Sequence, residues 1–170
     1  THKGYQEERD SIVRNIVKDI KNNQELLKDI EEQLRKLLPQ TGYKLQTMPG
    51  IDIITEAKLI SEIGDINRFP DSNKLARFMG LAPVHFSSAG KGRDERCRNG
   101  NRELNAIFHF MAIQMVVISP SGKARHPVFR EYFEQKVKEG KNKPQALICI
   151  ARTLVRIIYG MMKTKTEYRP

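Results

Sequence analysis

Tryptophan is absent from this sequence, and its two cysteines, Cys97 and Cys149, form no CxxC pair. Neither has a histidine at ligand spacing, so the sequence supports neither a disulfide framework nor a zinc site. No apolar run approaches the ~20 residues that cross a bilayer. Residues 1–10, THKGYQEERD, lack the apolar core of a signal peptide. These absences point to a reduced, cytosolic protein with no membrane partner. Proline and glycine are missing from Tyr5 to Leu38, which excludes turns from that stretch.

Acids become scarce in the second half. Residues 1–85 carry 13 Lys/Arg and 13 Asp/Glu, whereas residues 86–170 carry 17 Lys/Arg against 7 Asp/Glu. The whole net charge of +10 therefore lies past residue 85. Such asymmetry is expected of a surface that meets a polyanion, most often nucleic acid; the alternative is a basic face that serves solubility.

The pattern along the chain is helical, and the expected fold class is all-α. Ile12, Ile16, Ile20, Leu27, Ile30, Leu34 and Leu37 recur at helical spacing, widened by Val13, Val17, Leu26 and Leu38. The positions between them are mostly charged or amide residues, which predicts one long amphipathic helix with a coiled-coil seam, ended by Pro39. At ~30 residues it would be ~45 Å long, too long to bury against so small a domain. It is therefore expected to pair with another copy of the chain or with a second helix outside these residues; the alternative is a helix folded back on its own domain. A dimerising coiled-coil helix over 1–40 and a second domain over 41–170 are expected. Within the second domain, "YKLQTMPGIDIITEAKLISEIG" (43–64) resembles a helix-hairpin-helix, with Asp52 where the usual second Gly would stand. Further helices are predicted from the Asp71/Ser72 cap through Met79, over 101–118, over 128–138 and from Pro144 to about Lys163. Leu104, Ile107, Phe108, Met111, Met115 and Ile118 are expected to form the inner face of the second of these. Phe129, Tyr132, Phe133 and Val137 do the same for the third.

The segment "FSSAGKGRDERCRNGNREL" (86–104) departs from this helical period. Its flanks, "VHFSS" and "ERCR", could form a short β-ribbon around Gly90-Lys91-Gly92. Ser87 and Ser88 precede a small-residue turn, and Lys91, Arg93, Arg96, Arg98 and Arg102 follow. No G-x-S-x-G elbow surrounds either serine, no Walker loop is present, and the carboxylates past residue 85 are too few to hold two metal ions. A serine can nonetheless attack a backbone phosphorus without a metal of its own, while nearby Arg and Lys neutralise the growing charge. The residues alone leave this reading beside that of a polar loop.

The ordered run Pro49-Gly50-Ile51, Glu62-Ile63-Gly64-Asp65, Arg68-Phe69, Leu75-Ala76, Gly80-Leu81-Ala82-Pro83, Ser88-Ala89-Gly90-Lys91 and Gly100-Asn101 is similar to the C-terminal domain of the IS one-ten family of insertion-sequence transposases. "GKNKPQALICIARTLVRIIYGMMK" looks like that family's closing helix, so the likeness runs from about 45 to 163. The resemblance implies an RNA-guided DNA recombinase of the nucleoid. Its serine joins DNA covalently, in concert with an N-terminal RuvC-like nuclease domain that binds magnesium. Carried onto this sequence, the nucleophile is Ser88, with Ser87 in reserve. Lys91, Arg93, Arg96, Arg98, Asn101 and Arg102 would grip the phosphate backbone. The implied partners are DNA, a guide RNA and a second copy of the chain. No metal or cofactor is expected in these 170 residues. As a coiled coil plus serine domain, the chain is expected to bind nucleic acid without recombining it alone. Ala89 replaces the family's usual Gly, and Asp94 and Glu95 stand among the cations. The competing expectations are a non-catalytic helix-hairpin-helix module that only holds nucleic acid, and a coiled-coil assembly domain whose charge is incidental.

Overall fold

The computed structural model describes the backbone of residues 2–82, 84–88, 91–95, 100–120 and 122–169. Side chains are described over the same residues except 2–4, 84–88 and 91–95. The chain divides into two compact units, Thr1–Thr41 and Gly42–Pro170, and among the described residues it is mostly helical.

The first unit is one helix, α1 (His2–Leu37), followed by a 3-10 turn at Leu38–Thr41. Pro39 explains the stop, because it donates no backbone hydrogen bond and pushes the preceding residue out of the α region. Thr41 Oγ1 then donates to the Leu38 carbonyl at 2.7 Å. Every residue from Tyr5 to Ile30 is exposed. Ile12, Ile16 and Ile20 stay 60%, 53% and 51% accessible, so the apolar stripe lacks a partner within the unit.

The second unit is built on α2 (Ile53–Ile63), α3 (Ser72–Phe78), α4 (Arg102–Val116), α5 (Pro127–Lys138) and α6 (Lys143–Thr164). Helix α6 is the axle, with α3, α4 and α5 packed around it. Its start is fixed by a capping box in which Asn142 and Gln145 each bond the other's backbone. Ala146, Ile150, Ala151, Leu154, Val155, Ile158, Met161 and Met162 form its buried face. By length and composition α6 could cross a membrane, but that apolar face is spent in this core. All six methionines of the sequence are buried here, where their unbranched side chains fill irregular gaps between helices.

Two core expectations need correction. Helix α4 ends at Val116, not at residue 118, and Ile118 is exposed, paired through its backbone with Ala124. The cause is local: Pro120 has no N–H to donate to the Val116 carbonyl four residues back, and the Arg130 guanidinium takes that carbonyl instead at 3.1 Å. In α5, Phe129 and Phe133 are buried as the spacing predicts, while Val137 in the last turn faces out.

Ahead of α2, the chain makes a single 3-10 turn at Leu45–Thr47 and not the first helix of a helix-hairpin-helix. The side chain of Glu56, only 2% exposed, holds this turn by accepting from the Leu45 N–H at 3.1 Å and from Gln46 Nε2 at 2.6 Å. The Pro49-Gly50 bend follows, with Gly50 at a φ of +90°.

Candidate functional site

Between α3 and α4 the chain leaves the helical core and returns. The outgoing strand β1 (Val84–Ser88) and returning strand β2 (Lys91–Glu95) pair antiparallel. The register sets Phe86 opposite Arg93, Ser87 opposite Gly92 and Ser88 opposite Lys91. Residues directly opposite in such a ladder have Cα atoms ~4.5–5.5 Å apart. Both candidate serines therefore sit at the closed end of a hairpin, with the backbone of Lys91 facing that of Ser88. The sequence pattern placed Lys91 and Gly92 in the turn; they lie instead in β2, leaving two residues, 89 and 90, between the strands. Those two residues lie outside the described ones, as do Arg96 and Arg98 of the expected cation set.

The chain segments on either side of the hairpin cross closely at two glycines, Gly80 and Gly100. A Cβ on Gly100 would lie 2.5 Å from the Gly80 nitrogen, 2.6 Å from its Cα and 2.7 Å from the Met79 carbonyl carbon. Side-chain atoms do not approach backbone that closely, so glycine is required by the space itself. Gly80 serves a second purpose: its φ of +72° ends α3, with the Leu81 N–H returning to the Ala76 carbonyl at 2.9 Å. Around this crossing the two chain ends are stitched together. The Asn101 N–H donates to the Phe78 carbonyl at 2.8 Å, and Asn105 Nδ2 donates to the Met79 carbonyl at 2.9 Å.

Asn101 does more than contribute its backbone. Its Oδ1 accepts from the Leu104 N–H at 2.9 Å, capping α4, while its Nδ2 donates to Glu62 Oε2 at 2.7 Å. The amide expected among the phosphate contacts is thus engaged in tying α4 to the end of α2. Phe78 is steadied from the other side by the Arg68 guanidinium, which lies 4.6 Å from the Phe69 ring and 4.7 Å from the Phe78 ring. Motif residues Glu62, Arg68, Phe69, Gly80, Gly100 and Asn101 therefore tie together the ends of α2, α3 and α4, between which the hairpin lies in sequence. Sequence reasoning had these residues in hand but gave only Asn101 a role. The missing signal was the Gly80–Gly100 crossing, which no local pattern reveals.

Arg102 opens α4 and is exposed, with no carboxylate partner among the described residues. A cation at a helix N-terminus faces the positive end of the helix dipole, a position that favours anions. Asp52 caps α2 by accepting from the Thr55 N–H at 2.7 Å. Hydrogen bonds from Thr55, the side chain first and then the backbone N–H, hold its carboxyl below the ordinary value. A capped carboxylate there does not suit a phosphate.

A family model described as the IS116/IS110/IS902 transposase family matches residues 42–132, more than half of the chain. The chain is 28% identical to the insertion element IS110 protein of Streptomyces coelicolor over 94% of its own length and 38% of that relative. It is 28% identical to the IS116 protein of Streptomyces clavuligerus over 86% of the chain and 36% of that protein. It is also 30% identical to a pilin gene-inverting protein of Moraxella lacunata over 80% of the chain and 42% of that protein. The chain thus spans well under half the length of these relatives. A family model that matches more than half of the chain makes it a member of the IS116/IS110/IS902 transposase family.

Proposed function

We propose that this chain is the serine-bearing part of an RNA-guided DNA recombinase, with Ser88 as nucleophile and Ser87 as the nearest alternative hydroxyl. The Ser88 oxygen attacks a backbone phosphorus, one P–O bond to the sugar breaks, and the departing sugar oxygen takes up a proton. The phosphodiester to serine keeps the bond for rejoining to another strand. Lys91, Arg93, Arg96, Arg98 and Arg102 neutralise the charge that grows on the non-bridging oxygens. Asn101 acts through the scaffold and not on the phosphate. The observation that carries the reading is the register of the hairpin, in which Ser88 stands opposite Lys91. Family membership supports transposition or site-specific recombination as the setting.

The magnesium that the family resemblance implies belongs to a nuclease domain of other residues. Among the described residues no group of three His, Cys, Asp or Glu side chains is placed to hold a cation, and no step here passes through one. The unpartnered stripe of α1 supports self-association as a coiled coil, giving an assembly in which two serine hairpins act together.

The test is covalent trapping. In the full-length protein that contains this chain, Ser88→Ala is expected to remove the DNA–protein adduct while complexes with DNA and guide RNA still assemble. Peptide mass spectrometry should find the nucleotide on Ser88. Loss of the adduct in Ser87→Ala alone moves the role by one residue. Full recombination by both alanine variants overturns it in favour of a module that only holds nucleic acid.

A further inference from the structure

Residues of α3, α5 and α6 line a half-open pocket of about 280 Å³. Its polar walls are Ser72 and Asn73 from α3, Tyr132 from α5, and Cys149, Arg152 and Arg156 from α6. No carboxylate lines it. Arg152 and Arg156 are four residues apart, so both project from one side of α6, separated by ~6 Å along its axis. Neither guanidinium meets a carboxylate among the described residues; the one hydrogen bond recorded for either is Arg156 Nη2 to Thr153 Oγ1 at 3.4 Å. Asp71, the residue before Ser72, is turned into the helix cap, accepting from the Asn73 and Lys74 N–H groups at 2.7 and 2.9 Å. On the α5 side, Lys136 lies 5.2 Å from the Tyr132 ring, and its charge is answered by Glu139 at 2.7 Å.

Two uncompensated arginines over a concave wall of hydroxyl, amide and phenol groups make a receptor for a phosphate diester. Guanidinium forks match phosphate oxygens in pairs, and hydroxyl and amide donors complete the set. The absence of any lining carboxylate removes the competitor that ordinarily occupies such arginines. We infer that this cavity holds backbone phosphate of a nucleic-acid strand, at a second site distinct from the serine hairpin. The inference rests on the nucleic-acid reading above only for the class of polyanion; the residues and the cavity are independent of the hairpin.

Salt titration of the intact chain tests it. Binding of a 30-nucleotide single-stranded RNA, and of DNA of the same sequence, is followed by fluorescence anisotropy across a salt series. Each phosphate contact contributes a slope of about −0.7 in log K against log salt for single strands. Arg152→Gln with Arg156→Gln should therefore flatten the slope by about 1.4, and Arg152→Lys with Arg156→Lys should keep most of it. Both arginines are exposed and make no ion pair among the described residues, so an unchanged thermal transition is expected. A second readout needs no variant: bound oligonucleotide should protect Cys149 from iodoacetamide, as measured by peptide mass spectrometry. A smaller loss for one of the two strands identifies the other as the occupant. An unchanged slope in the glutamine pair, with Cys149 unprotected, overturns the site. Protection of Cys149 by inorganic phosphate alone and by neither oligonucleotide overturns it as well, leaving a pocket for free anions. Arg93→Gln with Arg96→Gln separates the two sites: if that pair flattens the slope and the α6 pair does not, the hairpin reading stands and this inference falls.

Discussion

At the scale of single residues, the tightest constraint is the crossing of Gly80 and Gly100. Gly100→Ala would place a methyl group 2.5 Å from the Gly80 nitrogen, with backbone on every near side and no flexible side chain to give way. Such overpacking typically costs 1–3 kcal/mol, and with rigid neighbours a loss of about 3 kcal/mol is expected in urea unfolding. A loss below about 0.5 kcal/mol would mean the strands do not cross this closely. Gly64→Ala is a control of another kind, because a Cβ there meets open space and the strain is all in the backbone, at φ +63° and ψ −137°, outside the left-handed helical region. It should cost about 1–3 kcal/mol. Asp52 gives a pH-dependent prediction. Folding lowers its pKa through bonds from Thr55. Its contribution is therefore complete above the unfolded value of ~3.9 and is lost as pH falls through the lower folded value. Asp52→Ala should destabilise by about 1 kcal/mol at pH 7, and the gap to the parent should close toward pH 2 in acid titrations of stability. A gap that stays constant with pH would mean that the carboxylate charge plays no part in the cap.

At the scale of elements, what was legible in the sequence followed from periodicity. The seam of α1, the apolar run of α6 and the Gly80 stop of α3 all announce themselves through spacing and cap residues. The hairpin was legible as a break in that period, but its register was not. "AGKG" offers several small-residue turns, and only strand pairing decides that residues 89 and 90 alone lie between the strands. The cavity beside α6 was invisible for a different reason. Arg152 and Arg156 read as the polar side of an amphipathic helix until α3 and α5 are placed against it. Helix α1 carries the prediction proper to this scale. Ile12, Ile16 and Ile20 are exposed on a helix ~54 Å long, a stripe suited to a coiled-coil partner such as a second copy. Ile16→Asp with Ile20→Asp should convert a dimer to a monomer in sedimentation velocity. A parent protein that sediments as a monomer at high concentration would contradict the coiled coil.

At the scale of the molecule, charge and association are divided between the two units. Residues 1–41 carry 8 Lys/Arg and 8 Asp/Glu, so the whole excess of +10 belongs to residues 42–170. A neutral helix with an apolar stripe suits assembly, and a basic helical domain suits polyanion binding. The two properties should therefore separate experimentally. Linking two binding domains raises apparent affinity through effective concentration, by ~10²–10⁴ when both reach one strand, without adding contacts within either domain. The Ile16→Asp, Ile20→Asp protein should bind a long strand carrying two sites at least tenfold more weakly than the parent. On a short strand with room for one domain, it should bind equally well and with an unchanged salt slope. Equal weakening on both strands would show that α1 itself touches nucleic acid. Equal affinity on the long strand would show that the second domains do not act in pairs. Either result would break the division of labour that the charge distribution implies. The predicted combination, a loss confined to the long strand, would place association in the first unit and phosphate recognition in the second.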